Sequence, residues 1–162
     1  NCPVTSSAGR LFDAVASLLG VCDKAEYEAQ GPIMLERISA ADVDDYYSYD
    51  VIDEEIDMSE TIRSIVDDMK AGVKAPVISA MFHNTLGQII FDIASDLEDE
   101  TGISKVMVSG GCFQNKYLMD QIEKNFEGST LQLYKHKKYS TTDLGISVGQ
   151  AFVASYDDRK SE

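Results

Sequence analysis

The chain has 162 residues, 44% of them hydrophobic, and sets 14 basic against 28 acidic side chains for a formal net charge of −14. That length and apolar share suit one core in a single domain, and the acidic surface repels phosphate backbones, which excludes nucleic-acid binding as the main task. No apolar run reaches the roughly 18 to 20 residues of a membrane span, and no cationic, then apolar leader opens the chain, so a soluble protein without a membrane role is expected.

From the N-terminus, Thr5 to Gly20 reads as a helix with Leu11, Val15, Leu18 and Leu19 in one apolar stripe and Gly20 as its stop. Tyr27 to Ser39 reads as a second helix, with Ile33, Met34, Leu35 and Ile38 toward the core. The chain then turns acidic from Asp42 to Glu60. There Tyr47, Tyr49 and Val51 alternate with polar neighbours and a second extended run covers Glu55 to Met58, the pattern of an exposed hairpin. Ser59 starts a helix whose apolar face is Ile62, Ile65, Val66 and Met69, ending at Gly72. Ala75 to Leu97 is the longest helix, with Ile78, Phe82, Leu86, Ile89, Ile90, Ile93 and Leu97 on one side, and is expected to be the core element.

Ile103 to Val108 is apolar and β-branched, a buried strand. It runs into Ser109-Gly110-Gly111-Cys112 and then a helix from Gln114 to Phe126. Leu131 to Tyr134 forms another short strand, Ile146 to Tyr156 a closing helix, and 157–162 a frayed tail after a single lobe at 1–156. Strand-turn-helix units among many helices define an α/β fold that is helix-rich with few strands.

Read from the residues alone, the glycine turn has two explanations. A strand running through glycines into a helix start cradles phosphate with backbone amides, and the same glycines also serve purely steric needs. Asp143, ahead of the small-residue run Gly145 to Gln150, either caps a helix or ligates a hard cation beside a phosphate loop. Asp13 falls off the apolar stripe and is either a solvated helix residue or a partner for ribose hydroxyls. The carboxylates between Asp42 and Glu60 lack the loop glycine and regular oxygen spacing of a calcium loop and read as a solvated face. Cys2, Cys22 and Cys112 are odd in number and widely spaced, which suits reduced thiols in a cytoplasm rather than a disulfide framework. No histidine near Cys112 in sequence could activate it as a nucleophile. His83 reads as a satisfied packing residue, and His136, beside Lys135, Lys137 and Lys138, as a solvated one.

Taken in order, SSAGRLFDAVASLLG, YEAQGP, FHNTLGQII, VSGGCFQNKYLM and HKKYSTTDLGISVGQA resemble the C-terminal portion of the HypF carbamoyltransferases of NiFe-hydrogenase maturation, from about Thr5 to Ala154. The resemblance implies the second half of a domain similar to the tRNA threonylcarbamoyl-adenosine synthase TsaD, of the actin/sugar-kinase/Hsp70 type of ATPase. It places nucleotide contacts on Ser109, Gly110, Gly111 and Asn115, a ribose contact on Asp13, a further contact at Gly31, and a divalent-metal ligand on Asp143. The ligands it implies are ATP or carbamoyl-adenylate, and the acceptor is the C-terminal cysteine of a partner, HypE.

The departures from that family pattern are specific. The family holds its metal mainly with a pair of histidines in the first half of the domain, whereas this chain has only His83 and His136, far apart, so its metal site is incomplete. Leu144 stands where the family has a glycine, and Tyr27-Glu28-Ala29-Gln30 where it usually reads Tyr-Glu-Gly-Gln. The acylphosphatase-like, zinc-finger and adenylate-forming domains of the family do not occur in the sequence, so the chain by itself is expected to be inactive. A cleft cut in half leaves apolar surface for the remaining domains, or for self-association, to cover. Two other readings stand beside this one: a TsaD-like or sugar-kinase-like ATPase lobe acting on tRNA or a small molecule, and a noncatalytic interaction module docking a basic partner through the acidic hairpin.

Overall fold

The structure, a computed structural model, describes residues 5–158, so Cys2 and the last four residues of the expected tail lie outside it. Six helices and four short strands follow in the order α1 (Ala8–Leu18), α2 (Gln30–Ile38), β1 (Asp50–Ile52), β2 (Glu55–Asp57), α3 (Ser59–Ala71), α4 (Ala75–Thr101), β3 (Lys105–Val108), α5 (Lys116–Phe126), β4 (Gln132–Lys135) and α6 (Ile146–Asp158). Single 3-10 turns at Gly111–Gln114 and Asp143–Gly145 precede α5 and α6. The fold is a helix-rich α/β unit, and no described helix is long and apolar enough to cross a membrane.

The long helix α4 is the axis of the core, packed against α2, α3 and α5. Pro76 sits in its first turn, where a missing N–H is harmless, and Gly102, at φ 72°, ends it four residues later than the apolar pattern suggests. Its buried surface is wider than the single apolar stripe. Ile78, Phe82 and Ile89 are buried, but so are Ser79, His83, Asn84 and Thr85, while Leu97 is exposed. A helix enclosed on several sides has no polar face to spare, and its polar side chains must find partners inside. Ser79 donates to the Leu35 carbonyl on α2, and Asn84 donates to the carbonyls of Val43 and Asp45.

Helix α1 buries Val15 of the expected stripe together with Phe12 and Ala16, Leu11 and Leu19 pack half-buried against the core, and Leu18 is exposed. The reason is aromatic. Phe12 meets Phe82 of α4 edge to face at 5.1 Å, which turns the helix so that Phe12 points inward. Helix α2 begins at Gln30, because Ala29 is left-handed at φ 61° and cannot continue a helix backwards to Tyr27.

The expected hairpin is present but shorter. β1 and β2 pair antiparallel from Asp50↔Asp57 to Ile52↔Glu55, joined by Asp53 and Glu54, both at positive φ as a two-residue turn requires. Tyr47 is not part of that exposed strand. It is buried, its N–H donates to Thr85 Oγ1, and its hydroxyl donates to Asp68, which together with burial pushes the phenol pKa up. Helix α3 is capped from outside by Asp57, whose Oδ1 accepts from the Ser59 N–H, and it buries Thr61 and Ile65 while Met69 faces solvent.

β3 and β4 form a parallel pair, Lys105↔Gln132 to Val108↔Lys135, connected through α5. Gly87 of α4 lets α5 approach closely, since a Cβ there would stand 3.4 Å from the Gln121 Cβ. The other face of the strands leaves Met107 73% exposed. The residues of α6 are exposed from Ile146 to Tyr156, and it ends at Asp158, two residues beyond the expected stop at Tyr156.

Phe82 is fully buried at the crossing of α1 and α4. Phe82→Ala is expected to destabilise the chain by about 3–5 kcal/mol, read as a lower urea midpoint with an unchanged slope.

Candidate functional site

Five of the seven residues singled out in the sequence line one cleft of about 880 Å³: Asp13, Gly110, Gly111, Asn115 and Asp143. They come from α1, from the turn between β3 and α5, and from the 3-10 turn before α6, segments joined only by folding.

The glycine turn is built as follows. Beyond Val108, Gly110 adopts φ 109° and ψ 169°, a conformation open essentially to glycine alone. Gly111 then opens the 3-10 turn without a positive φ, and a Cβ built on it meets nothing within 4 Å. Backbone strain therefore accounts for Gly110 and not for Gly111. The N–H groups that start a helical turn have no carbonyl behind them inside that turn, which leaves the Gly111 N–H as a free donor, while the Cys112 N–H lies against its own thiol. The first turn of α5 differs from the sequence expectation, because two of its amides are already taken. Glu36 Oε1 accepts from the Lys116 N–H at 2.8 Å, and Asn115 Oδ1 accepts from the Leu118 N–H at 2.9 Å. Asn115 is thus the N-cap of α5, which moves the helix start from Gln114 to Lys116.

The Asn115 side chain is committed at both ends. Its Nδ2 lies 2.9 Å from His83 Nε2, and His83 Nδ1 lies 2.7 Å from the Ser79 carbonyl. A carbonyl only accepts, so Nδ1 carries the proton and Nε2 accepts from Asn115. Burial pushes the His83 pKa down, which keeps the ring neutral. Phe12 and Tyr117 meet the imidazole edge to face. His83 is therefore the packing residue expected from its helix.

Asp13 is partly exposed and pairs with Arg10 Nη2 at 3.2 Å. An exposed pair of this kind is worth under about 1 kcal/mol, so it leaves the carboxylate available. Gly31 does not line the cleft. It is buried under Asp13, and a Cβ on it would fall 2.8 Å from Asp13 Oδ1 and 3.2 Å from the Ala16 Cβ. Its place in the chain is explained by close packing of α1 on α2. Ser109 also lies off the cleft, with its Oγ 3.2 Å from Nε2 of the exposed His136.

At the far rim, Gly145 is held so near the Ser140 carbonyl that a Cβ would clash at 2.7 Å, and its N–H donates to the Thr142 carbonyl. This folds the loop tightly and presents Asp143 and Leu144, the latter 83% exposed. Thr142 makes no side-chain cap, and Asp143 sits inside the 3-10 turn rather than capping α6. Among the described residues no group of three or more His, Cys, Asp or Glu side chains could hold a metal ion. Asp143 therefore belongs to no such group among the described residues. Cys112 is half-buried and burial pushes its thiol pKa up, the opposite of an activated nucleophile.

Three charged lining residues escaped the sequence reading: Arg10, Glu28 and Glu36. Arg10 was accessible as an i,i+3 neighbour of Asp13. Glu36 carried no local signal, since its partner Lys116 is 80 positions away.

The family model for the second subdomain of the carbamoyltransferase Kae1-like domain matches residues 1–150, and the chain belongs to that carbamoyltransferase family. Its relatives within the family are HypF proteins. A HypF carbamoyltransferase homolog of Cupriavidus necator is 34% identical over 96% of this chain and 42% of its own length. The carbamoyltransferase HypF of a Synechocystis species is 37% identical over 72% of this chain and 15% of its own. A crystal structure of full-length HypF in a phosphate- and nucleotide-bound form superposes with a TM-score of 0.86 at 40% identity, over 92% of this chain and 20% of that one. HypF of T. kodakarensis superposes with a TM-score of 0.81 at 28% identity, over 96% and 20%. The chain thus spans less than half the length of each of these relatives.

Gly31→Ala is expected to displace the Asp13 carboxylate and to destabilise the chain by about 1–3 kcal/mol, as overpacking does. Because the clash is shared, the double variant with Asp13→Ala should lose less than the sum of the two single changes, measured by chemical unfolding.

Proposed function

We propose that the cleft is the nucleotide wall of a carbamoyltransferase, the second half of an actin/sugar-kinase/Hsp70-type, TsaD-like ATPase domain. One observation carries the reading. Gly111 lacks a side chain at a point where the chain's own atoms would leave room for one, on the wall of a cleft that Asp13 and Asp143 reach from distant segments. A ligand approaching the backbone at that point supplies the reason that packing does not. The cleft volume falls within the roughly 300–1,000 Å³ of small-molecule sites, and a HypF relative crystallised in a phosphate- and nucleotide-bound form supports the same ligand class.

In this reading the Gly111 amide receives a phosphate oxygen, and Asp13 receives ribose hydroxyls. Asn115 acts indirectly by holding the turn, since both ends of its amide are engaged within the protein. The lining sets four carboxylates, Asp13, Glu28, Glu36 and Asp143, against Arg10. Such a wall repels a bare polyphosphate, so ATP or carbamoyl-adenylate binds with a compensating divalent cation. The donor set here reaches that cation through Asp143 alone and does not complete its site, so no step is assigned to it. Fixed backbone dipoles aimed at the phosphate hold the carbamoyl-bearing group in place, a largely electrostatic contribution. The carbamoyl carbon passes from the adenylate oxygen to a cysteine sulfur on HypE, with the nucleotide leaving as the phosphate monoester. No general base for that thiol is found among the described lining residues.

The exposed apolar side chains of α6, Ile146, Val148, Phe152, Val153 and Tyr156, form the surface that the remaining domains of such a protein cover. The free thiols of Cys22 and Cys112 are in keeping with a cytoplasmic site of action.

Gly111→Val separates the ligand reading from packing. Its unfolding free energy is expected to stay within about 0.5 kcal/mol of wild type, as for a surface change, while calorimetric titration with ATP and Mg²⁺ shows binding weakened at least about tenfold, or 1.4 kcal/mol. Asp143→Ala should weaken ATP–Mg²⁺ more than ATP with EDTA. Equal affinity of wild type and Gly111→Val would overturn the proposal.

A further inference from the structure

His83 lies outside the cleft, yet it is the partner that holds a cleft residue. We infer that His83 is a positioning residue for the site: by accepting from Asn115 it holds the amide that caps α5 and, through that cap, the glycine turn on the cleft wall.

The chain of contacts is continuous and buried. Ser79 receives the Nδ1 proton of His83 on its carbonyl, which fixes the tautomer and makes Nε2 an acceptor. Asn115, 8% exposed, meets that acceptor with Nδ2, so that Oδ1 faces the Leu118 N–H. Asn115 N–H donates to the Cys112 carbonyl, and the Phe113 N–H to the Gly110 carbonyl, so the cap residue and the glycine turn are one hydrogen-bonded unit. A ring four residues beyond Ser79 on the rigid axis α4 therefore determines where Gly110 and Gly111 stand relative to α1. Two donors cannot face each other across this contact, so a second proton on His83 turns Nε2 into a donor and breaks the link.

The groups that face the imidazole come from every packed element. Phe12 on α1 and Tyr117 on α5 enclose it, and Phe82 lies beside it on α4. The Ser39 hydroxyl, just past α2, stands 3.4 Å from Nδ1. Glu36 on α2 is the charged group whose field reaches the ring and favours its protonation, but burial outweighs it and lowers the pKa from the usual 6.5. A depressed value means that the unfolded chain binds this proton more readily than the folded one. The Asn115 contact is therefore intact at pH 6.5 and breaks as pH falls through the folded pKa, which lies lower, while the folded state loses stability relative to the unfolded chain across that interval. The functional consequence rests on reading the cleft as a nucleotide site, whereas the structural coupling does not.

The test follows ring-¹⁵N histidine, the Asn115 side-chain amide and the amides of Gly110, Gly111 and Cys112 by NMR of the whole chain, from about pH 8 to about pH 5. The expected result is a neutral, Nδ1-protonated ring at neutral pH, an Asn115 amide protected from exchange, and turn amides that shift with the same acid midpoint as His83. His83→Gln places an amide oxygen where Nε2 accepts, so the turn resonances stay at wild-type positions and their acid transition disappears. His83→Phe fills the ring's space without an acceptor and should shift them. Turn amides unmoved in His83→Phe, an acid transition that persists in His83→Gln, or a wild-type ring that titrates at the ordinary value would each overturn the inference. ATP–Mg²⁺ titration of the same proteins adds the functional arm. About tenfold weaker binding in His83→Phe, the size of one buried hydrogen bond, with binding within about twofold of wild type in His83→Gln, supports the role. Unchanged affinity in His83→Phe refutes it. If wild type binds no nucleotide while the resonances stay coupled, the positioning role stands and the nucleotide reading falls.

Discussion

The structure depends on the enclosure of α4. A helix buried on several faces draws its polar side chains into bonds within the protein, and here four of them reach segments distant in sequence, Ser79 with Leu35, Thr85 with Tyr47, Asn84 with Val43 and Asp45, and His83 with Asn115, while Asn84 Oδ1 is buried without a partner. A buried polar group left unpaired loses about 1–3 kcal/mol, so each of these bonds specifies an arrangement as much as it stabilises one. Apolar contacts such as Phe12 against Phe82 supply most of the driving force, but they tolerate small rotations. The hydrogen bonds from α4 do not, and they set the positions of α2, the acidic loop and the glycine turn together.

That arrangement bears on the proposal that a strongly acidic chain binds a nucleotide in its cleft. Two amides of the first turn of α5, those of Lys116 and Leu118, are occupied by Glu36 and Asn115, two groups of the protein itself. The short turn ahead of it opens at Gly111, where the backbone carries no side chain. A wall with a free amide at one point and carboxylates around it discriminates by charge. In the proposed nucleotide reading, such a wall would accept a phosphate whose charge is partly neutralised and disfavour one that is not.

Much of the architecture was legible in the sequence. The strand, glycine turn and helix around Val108 to Phe126, the long helix from Ala75, the stops at Gly20 and Gly72, and the acidic hairpin follow from local periodicity and from glycine's access to positive φ. Element boundaries moved where a neighbour decided them: Asn115 left the helix to cap it, and Ala29, left-handed, delayed the start of α2. The buried faces of α1 and α3 kept Val15 and Ile65 but rotated to take in Phe12 and Thr61 and to expose Leu18 and Met69, because a helix turns toward whichever partner fills its groove, here the aromatic contact of Phe12 with Phe82 on α1.

The candidate site divides the same way. Short-range pattern was enough to raise Gly110, Gly111 and Asp143, because glycine turns and helix-start carboxylates have local chemical signatures, whereas Asn115 and Asp13 were singled out by the family resemblance. Neither could separate Gly31 and Ser109 from them, since whether a small residue faces a ligand or a neighbouring helix depends on what packs above it. The sequence by itself determined which residues have the conformational freedom and the charge to serve a nucleotide. Only the tertiary structure decided that Gly31 makes room for Asp13, that Glu36 takes an α5 amide from 80 positions away, and that His83 holds Asn115. Those are contacts between distant segments, and their energies exist only once the intervening chain has folded and brought the partners within hydrogen-bonding distance.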